Sequence, residues 1–434
     1  MKTAKKLFEC LIILLLIQST FFSLISFAST KDDLTKLNSS MKAEAAIVME
    51  ASTGKIVYSK NSKKTMYPAS TTKILTAIIA LEKCSLTDMA TASEHAITSI
   101  PSGYTDANIQ VSETLSIEDL LYALMLSSAN EAAVIIAEHI SGSTEEFAKV
   151  MNEKAKEIGC ENSNFVNPNG LHDKNHYSTA YDLALITKYA MKNETFRKIV
   201  STVSYTLPAT KVYPYETRTC TNSNKLIIVN KKTGSNNYYR DYVTGVKTGY
   251  TSPAGNCLVS SGNKNGLEFI TVVLGEKAKE VRYIDTINMF DFAYNNYSFT
   301  KILSKNNTVT TVEVPGATDE TKNLKLLANS EITALTSFDL SSIPEPQIEL
   351  DENAKAPIKT GDVTGKVTYT IGEDSYSSDL IAANDVKEKI LSDSKTIWKV
   401  ILVIAIILLI ITGILIKRKL KVDRIKYKKS RHLS

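Results

Sequence analysis

The chain has 434 residues, of which 43% are hydrophobic and 22% are charged. This length leaves room for two or three domains with a sizeable core, which excludes an intrinsically disordered chain. The formal net charge of +5 is unevenly distributed. The last 18 residues hold nine Lys or Arg against one Asp, whereas residues 29–416 carry a net charge of about −5. The overall basicity is therefore no sign of nucleic-acid binding, and no nucleic-acid partner is expected.

The first 28 residues have the pattern of a secretory signal peptide. Lysines near the start precede an apolar run from Leu11, and the small residues Ser26 and Ala28 stand where a signal peptidase would cleave. Cleavage near Ala28 would export the rest of the chain, and an uncleaved anchor is the alternative.

The exported part opens with a predicted β-hairpin and a helix. The segment EAAIVMEASTGKIVYSKN alternates apolar residues on both sides of Ser-Thr-Gly, as two strands joined by a turn do. After YPAS, apolar residues recur at helical spacing from Ile74 to Leu81, so we expect a helix that begins close to Ser70.

The middle of this domain, residues 116–200, is predicted to be all-helical. Its helical segments are SIEDLLYALML, EAAVIIAEHI, STEEFAKVMNEKAKEIG and STAYDLALITKYAM. Strand patterns return from Val203, in YVTGVKTGY, GNCLVSSG and GLEFITVVLG, before VRYIDTINMFDFAYNNY closes the domain as a helix. Strands at both ends indicate one antiparallel sheet with packed helices and a helical subdomain, which is an α+β or mixed α/β fold.

Four segments follow this main domain, which we place at residues 40–298. Val- and Thr-rich runs predict a small β-rich domain at 301–385, and a membrane-proximal stem follows at 386–399. The uncharged run 400–416 is long enough to cross nearly all of a hydrocarbon core as a helix. By the positive-inside rule, the basic tail 417–434 is cytoplasmic.

The five cysteines fit neither a zinc pattern nor a disulfide framework, because no Cys-x-x-Cys occurs and the spacings are long. Four remain after cleavage of the predicted signal peptide. We expect these to be mostly buried free thiols.

Ser70 and Lys73 form a Ser-x-x-Lys pair at the start of the predicted helix. One turn apart, both side chains share a face, so the lysine can take the proton of the serine. The positive end of the helix favours an anionic nucleophile. The pattern itself is common, and the other matches are Ser39/Lys42, Ser52/Lys55, Ser261/Lys264, Ser298/Lys301 and Ser392/Lys395. Only Ser70 stands at the mouth of a long apolar helix preceded by a proline.

A second motif, Ser128-Ala-Asn130, interrupts two apolar helices, where a short polar loop can face a cleft. Ser-x-Asn recurs elsewhere in the chain. For this motif taken alone, a buried turn capped by the serine is an equal alternative.

Lys-Thr-Gly occurs three times, starting at Lys232, Lys247 and Lys359. On a strand it presents an ammonium group and a hydroxyl group, and the glycine leaves the backbone open for a ligand that ends in a carboxylate. Lys232 lies in a polar run without a strand pattern, and Lys359 lies in the small β-rich domain. Only Lys247 is on a predicted strand of the domain that holds Ser70 and Ser128.

In the order Ser-x-x-Lys, Ser-x-Asn, Lys-Thr-Gly, the three motifs form the signature of active-site serine penicilloyl enzymes. The segments YPASTTKILTA, SSANEAA, NPNGLHDKNHYSTAYDLALIT and YVTGVKTGYTSPAGNCLV resemble those of D-alanyl-D-alanine carboxypeptidases of the low-molecular-mass penicillin-binding protein family. The resemblance covers residues 40–295, and more loosely the region to about 385. It implies a β-lactamase/transpeptidase-like catalytic domain.

The resemblance assigns the catalytic roles. Ser70 would be the acylated nucleophile, Lys73 its general base, and Ser128 the relay of a proton to the leaving amine. The backbone N–H groups of Ser70 and Tyr250 would form the oxyanion hole. Two neighbouring cations, Lys73 and Lys247, should each lower the pKa of the other, which keeps Lys73 available as a base.

It also assigns the substrate contacts. Asn130 would hold the substrate amide, Lys247 and Thr248 would bind the terminal carboxylate, and Gly249 and Tyr250 would complete the binding strand. Two departures from the family are Ser-Ala-Asn in place of the frequent Ser-Gly-Asn, and Tyr250 where some members have His. A third is a spanning helix where many relatives use an amphipathic one.

The activity that the resemblance implies is a serine-type carboxypeptidase that acts outside the bacterial cell membrane, to which a single C-terminal span attaches it. Its substrates would be peptidoglycan stem peptides that end in D-Ala-D-Ala, and β-lactam antibiotics would acylate it. Such an enzyme serves cell-wall synthesis and cell shape, and needs no metal or cofactor.

Three alternatives remain open from the sequence. A DD-endopeptidase or transpeptidase acting on crosslinks shares the first half-reaction. A β-lactam sensor would signal through the membrane span, although an 18-residue tail leaves no room for a signalling domain. A zinc peptidase could be built on His172 and His176, but their segment has turn chemistry rather than a helical pattern.

Overall fold

The computed structural model describes residues 30–215, 217–229, 236–337, 343–352, 354–389 and 394–430. The predicted signal peptide, Lys232 and Ser392 lie outside the described residues. The chain divides into two compact units between Phe299 and Thr300, and a short segment that begins at Leu335 belongs to the first unit.

The first unit is a mixed α+β structure. Its helices and strands, in chain order, are α1 (Thr30–Ser40), β1 (Ala45–Glu50), β2 (Ile56–Lys60), α2 (Lys73–Lys83), β3 (Met89–Thr91), α3 (Glu94–Thr98), β4 (Thr114–Ser116), α4 (Ile117–Tyr122), α5 (Asn130–Ser141), α6 (Thr144–Ile158), α7 (Ala180–Ala190), α8 (Glu194–Ser201), β5 (Ser204–Thr206), β6 (Thr219–Thr221), β7 (Val243–Thr251), β8 (Gly255–Lys264), β9 (Leu267–Glu276) and α9 (Val281–Asn296).

The central sheet of this unit has five antiparallel strands in the order β2-β1-β9-β8-β7. The first hairpin thus joins the last three strands through β1 and β9, where Ala45 lies opposite Leu274. The prediction that strands from both ends of the domain share one antiparallel sheet is confirmed.

Both faces of this sheet are buried. In β1, Ile47 and Met49 belong to one apolar cluster, together with the helices that follow β2, whereas Ala46 and Val48 belong to a second cluster with α1 and α9. Successive side chains of a strand point to opposite faces, so all six residues of β1 are buried. The sheet is therefore a rigid middle layer between two helical layers, and β7 is its edge strand.

The prediction of continuous helices over 116–200 is partly wrong. Helix α4 begins with a capping box between Ser116 and Asp119, but it passes at Ala123–Ser127 into one π-helical turn. Residues 159–179 are irregular, since this segment is rich in Asn, Gly and Pro. Backbone pairing of Asn164 with Tyr177 fixes this loop.

The second unit contains a five-stranded antiparallel sheet in the order β11-β12-β16-β15-β14, which confirms the predicted β-rich domain. The remaining elements are β10 (Tyr297–Leu303), β11 (Thr308–Glu313), β12 (Asn323–Ala328), β13 (Ile332–Ser337), β14 (Gln347–Leu350), β15 (Val363–Ile371), β16 (Asp374–Ala382) and α10 (Ser394–Ser430). Within α10, the segment Ile397–Ile425 is long and apolar enough to cross a membrane by length and composition, and its uncharged part is residues 400–416.

Candidate active site

Ser70 lies in a 3₁₀ turn, Ala69–Thr72, that leads directly into α2 at Lys73. With three residues per turn, side chains three positions apart stand in line. The Lys73 Nζ atom is accordingly 3.0 Å from the Ser70 Oγ atom. The predicted nucleophile and base are thus in hydrogen-bond contact, within a tighter turn than the expected α-helix.

Lys73 is completely buried, and its Nζ atom has two further partners, Asn130 Oδ1 at 2.8 Å and the Asn169 carbonyl at 2.5 Å. Burial, reinforced by the charge of Lys247 and opposed by that of Glu131, holds the pKa of Lys73 well below its usual value. A neutral amine has two N–H groups and one lone pair. In this neutral form, with both N–H groups given to the two asparagine oxygens, the lone pair would face the Ser70 hydroxyl group.

Ser128 ends the π-helical turn in a left-handed conformation, with φ of +62°. Non-glycine residues rarely adopt this conformation, and they do so mainly where the surrounding structure holds a functional group in place. The Thr105 hydroxyl donates to the Ser128 carbonyl at 2.9 Å, and Asn130 Nδ2 donates to the Thr105 carbonyl at 2.9 Å. The motif is therefore fastened to the loop that contains Thr105.

The strand β7 passes close to the nucleophile turn. A Cβ atom at Gly249 would lie 3.1 Å from both the Pro68 carbonyl oxygen and the Ser70 nitrogen, which is tighter than ordinary contact. Thr248 Oγ1 lies 2.6 Å from the Ser223 hydroxyl oxygen, while Tyr250 is 59% exposed. A side chain at position 249 would hold this strand away from Ser70.

Lys247 lies in the middle of β7. Its side chain is buried, its Nζ atom donates to the carbonyl of Thr248 at 3.1 Å, and it is not among the described residues that line the cleft. Burial and the charge of Arg282 lower the pKa of Lys247 to about 7. At Lys73 burial is the larger cause of the lowered pKa and the expected effect of Lys247 is second, whereas at Lys247 burial is followed by the charge of Arg282.

The other Lys-Thr-Gly sequence that the structure describes is in the second unit. There the backbone N–H of Lys359 donates to Asp362 Oδ2 at 2.8 Å, in the turn before β15. It is not on a strand.

Arg282, on α9, is a cleft residue that the sequence analysis missed. Its guanidinium group is buried and donates to the carbonyls of Gly249 and Cys257 at 3.2 and 3.4 Å, and to the Tyr283 hydroxyl at 3.0 Å. Tyr283 in turn donates to the carbonyl of Ser223 at 3.1 Å. The guanidinium thus braces β7 from behind the cleft and also contributes to its wall.

A sequence signal for Arg282 exists. Thr286, Met289 and Ala293 follow it at intervals of four, three and four residues, and all four residues are buried. An arginine at helical spacing on a buried face requires acceptors inside the fold or a ligand.

Ser70, Ser128, Asn130, Thr248, Gly249 and Tyr250 line one cleft of about 500 Å³. Three cations, Lys225, Lys279 and Arg282, also line it, and none of its described lining residues is Asp or Glu. The cleft therefore combines a nucleophile and its base with a positive field that suits an anionic ligand.

Residues 31–278 match the peptidase family S11, described as D-alanyl-D-alanine carboxypeptidase, and residues 297–388 match the C-terminal domain of penicillin-binding protein 5. The chain belongs to the D-alanyl-D-alanine carboxypeptidase family. It is a serine-type DD-carboxypeptidase, a hydrolase.

Relatives of this carboxypeptidase extend over most of the chain. It is 34% identical to the D-alanyl-D-alanine carboxypeptidase DacF of Bacillus subtilis, over 80% of this chain and 86% of that protein. The crystal structure of penicillin-binding protein 5 from Haemophilus influenzae, 28% identical, superposes with a TM-score of 0.62 over 80% of this chain and 98% of that one. A D-alanyl-D-alanine endopeptidase of Escherichia coli is 29% identical over 59% of this chain and 79% of its own length.

The two histidines considered for a zinc peptidase have other roles in this carboxypeptidase. The backbone N–H of Val166 donates to His176 Nδ1 at 3.2 Å, so His176 Nε2 carries the proton and donates to Thr72 Oγ1 at 2.8 Å. Burial lowers the pKa of His176 to about 4, so the ring is neutral at physiological pH. His172 packs edge-on against Tyr67 with ring centroids 4.6 Å apart.

Proposed function

We propose that the enzyme removes the terminal D-alanine from peptidoglycan stem peptides that end in D-Ala-D-Ala, through an acyl-enzyme on Ser70. The observation that carries the proposal is the hydrogen bond between Lys73 Nζ and Ser70 Oγ, made by a lysine that is completely buried. Because burial lowers the pKa of Lys73, its amine loses a proton more readily than that of an exposed lysine and can act as the base.

In the acylation step, Ser70 Oγ attacks the carbonyl of the penultimate residue while Lys73 Nζ takes the hydroxyl proton. The backbone N–H groups of Ser70 and Tyr250 stabilise the negative oxygen of the tetrahedral intermediate. Ser128 then passes a proton from Lys73 to the leaving nitrogen, the C–N bond breaks and D-alanine departs. Water hydrolyses the ester with Lys73 again as the base, which restores the Ser70 hydroxyl group.

The terminal carboxylate of the substrate would bind where Thr248, Ser223 and Arg282 meet. The hydroxyl groups of Thr248 and Ser223 would supply hydrogen bonds. The buried guanidinium group of Arg282, which lies 3.2 Å from the Gly249 carbonyl oxygen, would supply positive charge. Lys247, whose Nζ atom donates to the Thr248 carbonyl at 3.1 Å, would supply further positive charge to the carboxylate position.

The two amide atoms of Asn130 are both engaged by the protein, the oxygen by Lys73 and the nitrogen by Thr105. Asn130 therefore positions the base, and its amide can still contact the substrate, because the oxygen accepts two hydrogen bonds and the nitrogen donates two. This departs from a role in substrate binding alone.

A second candidate activity is DD-endopeptidase cleavage of crosslinks, which is favoured by the likeness to the Escherichia coli endopeptidase. Both reactions acylate the same serine and differ in the size of the leaving group. Paired assays on a monomeric pentapeptide and on a crosslinked dimer distinguish them, since a carboxypeptidase releases free D-alanine from the first and leaves the second intact.

The deciding experiment is covalent labelling with a fluorescent penicillin. Wild-type protein and Ser52→Ala should be labelled, because Ser52 is in the hairpin turn and its hydroxyl group bonds to Glu50. Ser70→Ala should not be labelled. Labelled Ser70→Ala protein, or unlabelled wild type, would defeat the proposal.

The proposed location is the outer face of the bacterial cell membrane, with α10 as the span and the basic tail inside. The uncharged run 400–416 within α10 and the charge of the tail support this arrangement. Trypsin added to intact protoplasts should leave the Lys- and Arg-rich tail uncut, and should cut it once the membrane is permeabilised. Cleavage of the tail in intact protoplasts would reverse the orientation.

A further inference from the structure

Helices α2 and α5 lie side by side with the same direction. Their N-terminal ends meet at the active site, where Lys73 and Asn130 share a hydrogen bond of 2.8 Å. At the opposite end, Cys84 follows the last residue of α2, and His139 lies in the last turn of α5. One ligand atom each of Cys84, Asp88 and His139 lies within 4.8 Å of the other two.

The turn that carries Cys84 and Asp88 is fixed by hydrogen bonds. The Cys84 N–H donates to the Ala80 carbonyl at 3.0 Å, and the Ser85 N–H donates to Asp88 Oδ2 at 2.8 Å. The carbonyl of Asp88 accepts from the Ile117 N–H at 2.9 Å. The thiol and the carboxylate are therefore presented by a defined backbone.

All three side chains have unused ligand atoms among the described residues. Within the described parts of the chain, neither the Cys84 thiol nor the His139 ring has a hydrogen-bond or ion-pair partner, and one carboxylate oxygen of Asp88 is also unengaged. Cys84 is half-buried and His139 is exposed. An ion can thus reach the cluster from solvent without any opening of the core.

The donor set specifies the ion. Thiolate, imidazole and carboxylate together are the ligands of Zn²⁺, whereas Mg²⁺ and Ca²⁺ prefer oxygen alone. Bonds of about 2.0 to 2.3 Å in a tetrahedron place ligand atoms about 3.5 Å apart. The three ligand atoms lie within 4.8 Å of one another, so movements of about 1 Å by the side chains bring them to this separation.

We propose that Cys84, Asp88 and His139 form a structural Zn²⁺ site that fastens the C-terminal ends of α2 and α5. A water molecule completes the coordination, and the Cys84 thiol releases its proton to the solvent as the ion binds. Two residues of the 3₁₀ turn and the eleven residues of α2 separate Cys84 from Ser70, a distance of about 20 Å along the helix, so the ion takes no part in acyl transfer. Its effect is to hold the two helices that carry Lys73 and Asn130 in register.

The test uses the full-length protein in detergent, stripped with a chelator and titrated with Co²⁺ as a spectroscopic probe and with Zn²⁺. The wild type should bind one equivalent of Co²⁺ with a near-ultraviolet thiolate charge-transfer band, which one equivalent of Zn²⁺ abolishes. Zn²⁺ should also raise the melting temperature. Cys84→Ser should lose the band, and His139→Gln should weaken binding by about tenfold or more.

Matched controls are Cys160→Ser, another half-buried free thiol, and His95→Gln, an exposed histidine. Both controls should bind like the wild type. Penicillin labelling should proceed in every variant, which shows that each is folded and separates this test from the activity. A band that persists in Cys84→Ser, equal affinity in His139→Gln, or no Co²⁺ band in the wild type would each overturn the site.

Discussion

Gly170 allows its loop, whose Asn169 carbonyl binds Lys73, to approach the turn that contains Ser70. Its replacement by alanine gives the sharpest prediction. The residue has φ of +82°, and a Cβ atom there would overlap the carbonyl group of Ala69 and come within 2.9 Å of Thr72 Oγ1. Restoring ordinary contact requires the turn and the loop to separate by about 1 Å or more. The Asn169 carbonyl, which binds Lys73, would move with the loop.

Gly266→Ala is a matched control that separates the strain of the left-handed conformation from the steric overlap. Gly266, in the turn between β8 and β9, has φ of +85°, and a Cβ atom there would meet nothing within 4 Å. Gly266→Ala should therefore lower the free energy of unfolding by only the strain of the left-handed conformation, about 1–2 kcal/mol. Gly170→Ala should add to this strain the displacement of the base. A shift of about 1 Å at reacting groups lowers a rate by about 100-fold.

The assay is the second-order rate constant for acylation by a fluorescent penicillin, measured beside thermal unfolding of the same preparations. Gly266→Ala should acylate like the wild type, and Gly170→Ala about 100-fold more slowly at a temperature where both are folded. An acylation rate for Gly170→Ala within about threefold of the Gly266→Ala rate would refute the inferred close contact.

Three further predictions concern titration and the binding strand. Acylation should rise with pH through an apparent pKa well below that of a free lysine, because Lys73 must lose its proton, and a rate that is flat from acid to alkaline pH would contradict this. Lys247→Ala should reduce the rate of D-alanine release severely, while Lys232→Ala and Lys359→Ala stay near normal; the reverse ranking would overturn the assignment. Since the pKa of His176 is about 4 when folded against about 6.5 when unfolded, the unfolded state binds the proton first, and stability should fall as the pH drops from 6.5 to 4. His176→Gln should flatten that part of the stability curve measured by urea unfolding, and an unchanged slope would remove His176 as its cause.

Much of the fold is encoded in local patterns. Residues in β1 alternate between two apolar clusters, and α4, α6 and α7 begin at Ser or Thr caps, so period and capping predict their positions. The irregular segment 159–179 was harder, because its conformation depends on tertiary partners. Thr76, for example, donates to the Pro168 carbonyl at 2.6 Å, across 92 positions of sequence.

In the site, too, some residues can be recognised from local sequence and others depend on tertiary partners. Ser70, Lys73 and Ser128 could be predicted because their side chains are themselves the chemical groups, at fixed spacing in recognisable elements. For Arg282 the sequence indicates only a buried position on a helix, since its partners are backbone carbonyls on β7 and β8. The buried position of Lys247 was equally hidden, because the side to which a strand turns a given residue depends on the layer packed against it.

The hydrogen bond from Lys73 to the Asn169 carbonyl is a contact of the catalytic base that a sequence motif cannot reveal. A main-chain oxygen belongs to every residue type, so no letter at position 169 records that the catalytic base depends on it. The sequence requirement is on the path of the backbone, and it appears one position later, at Gly170, where only glycine fits against Ala69. A scan of substitutions through this loop would find the essential atom at one position and the intolerance at the next.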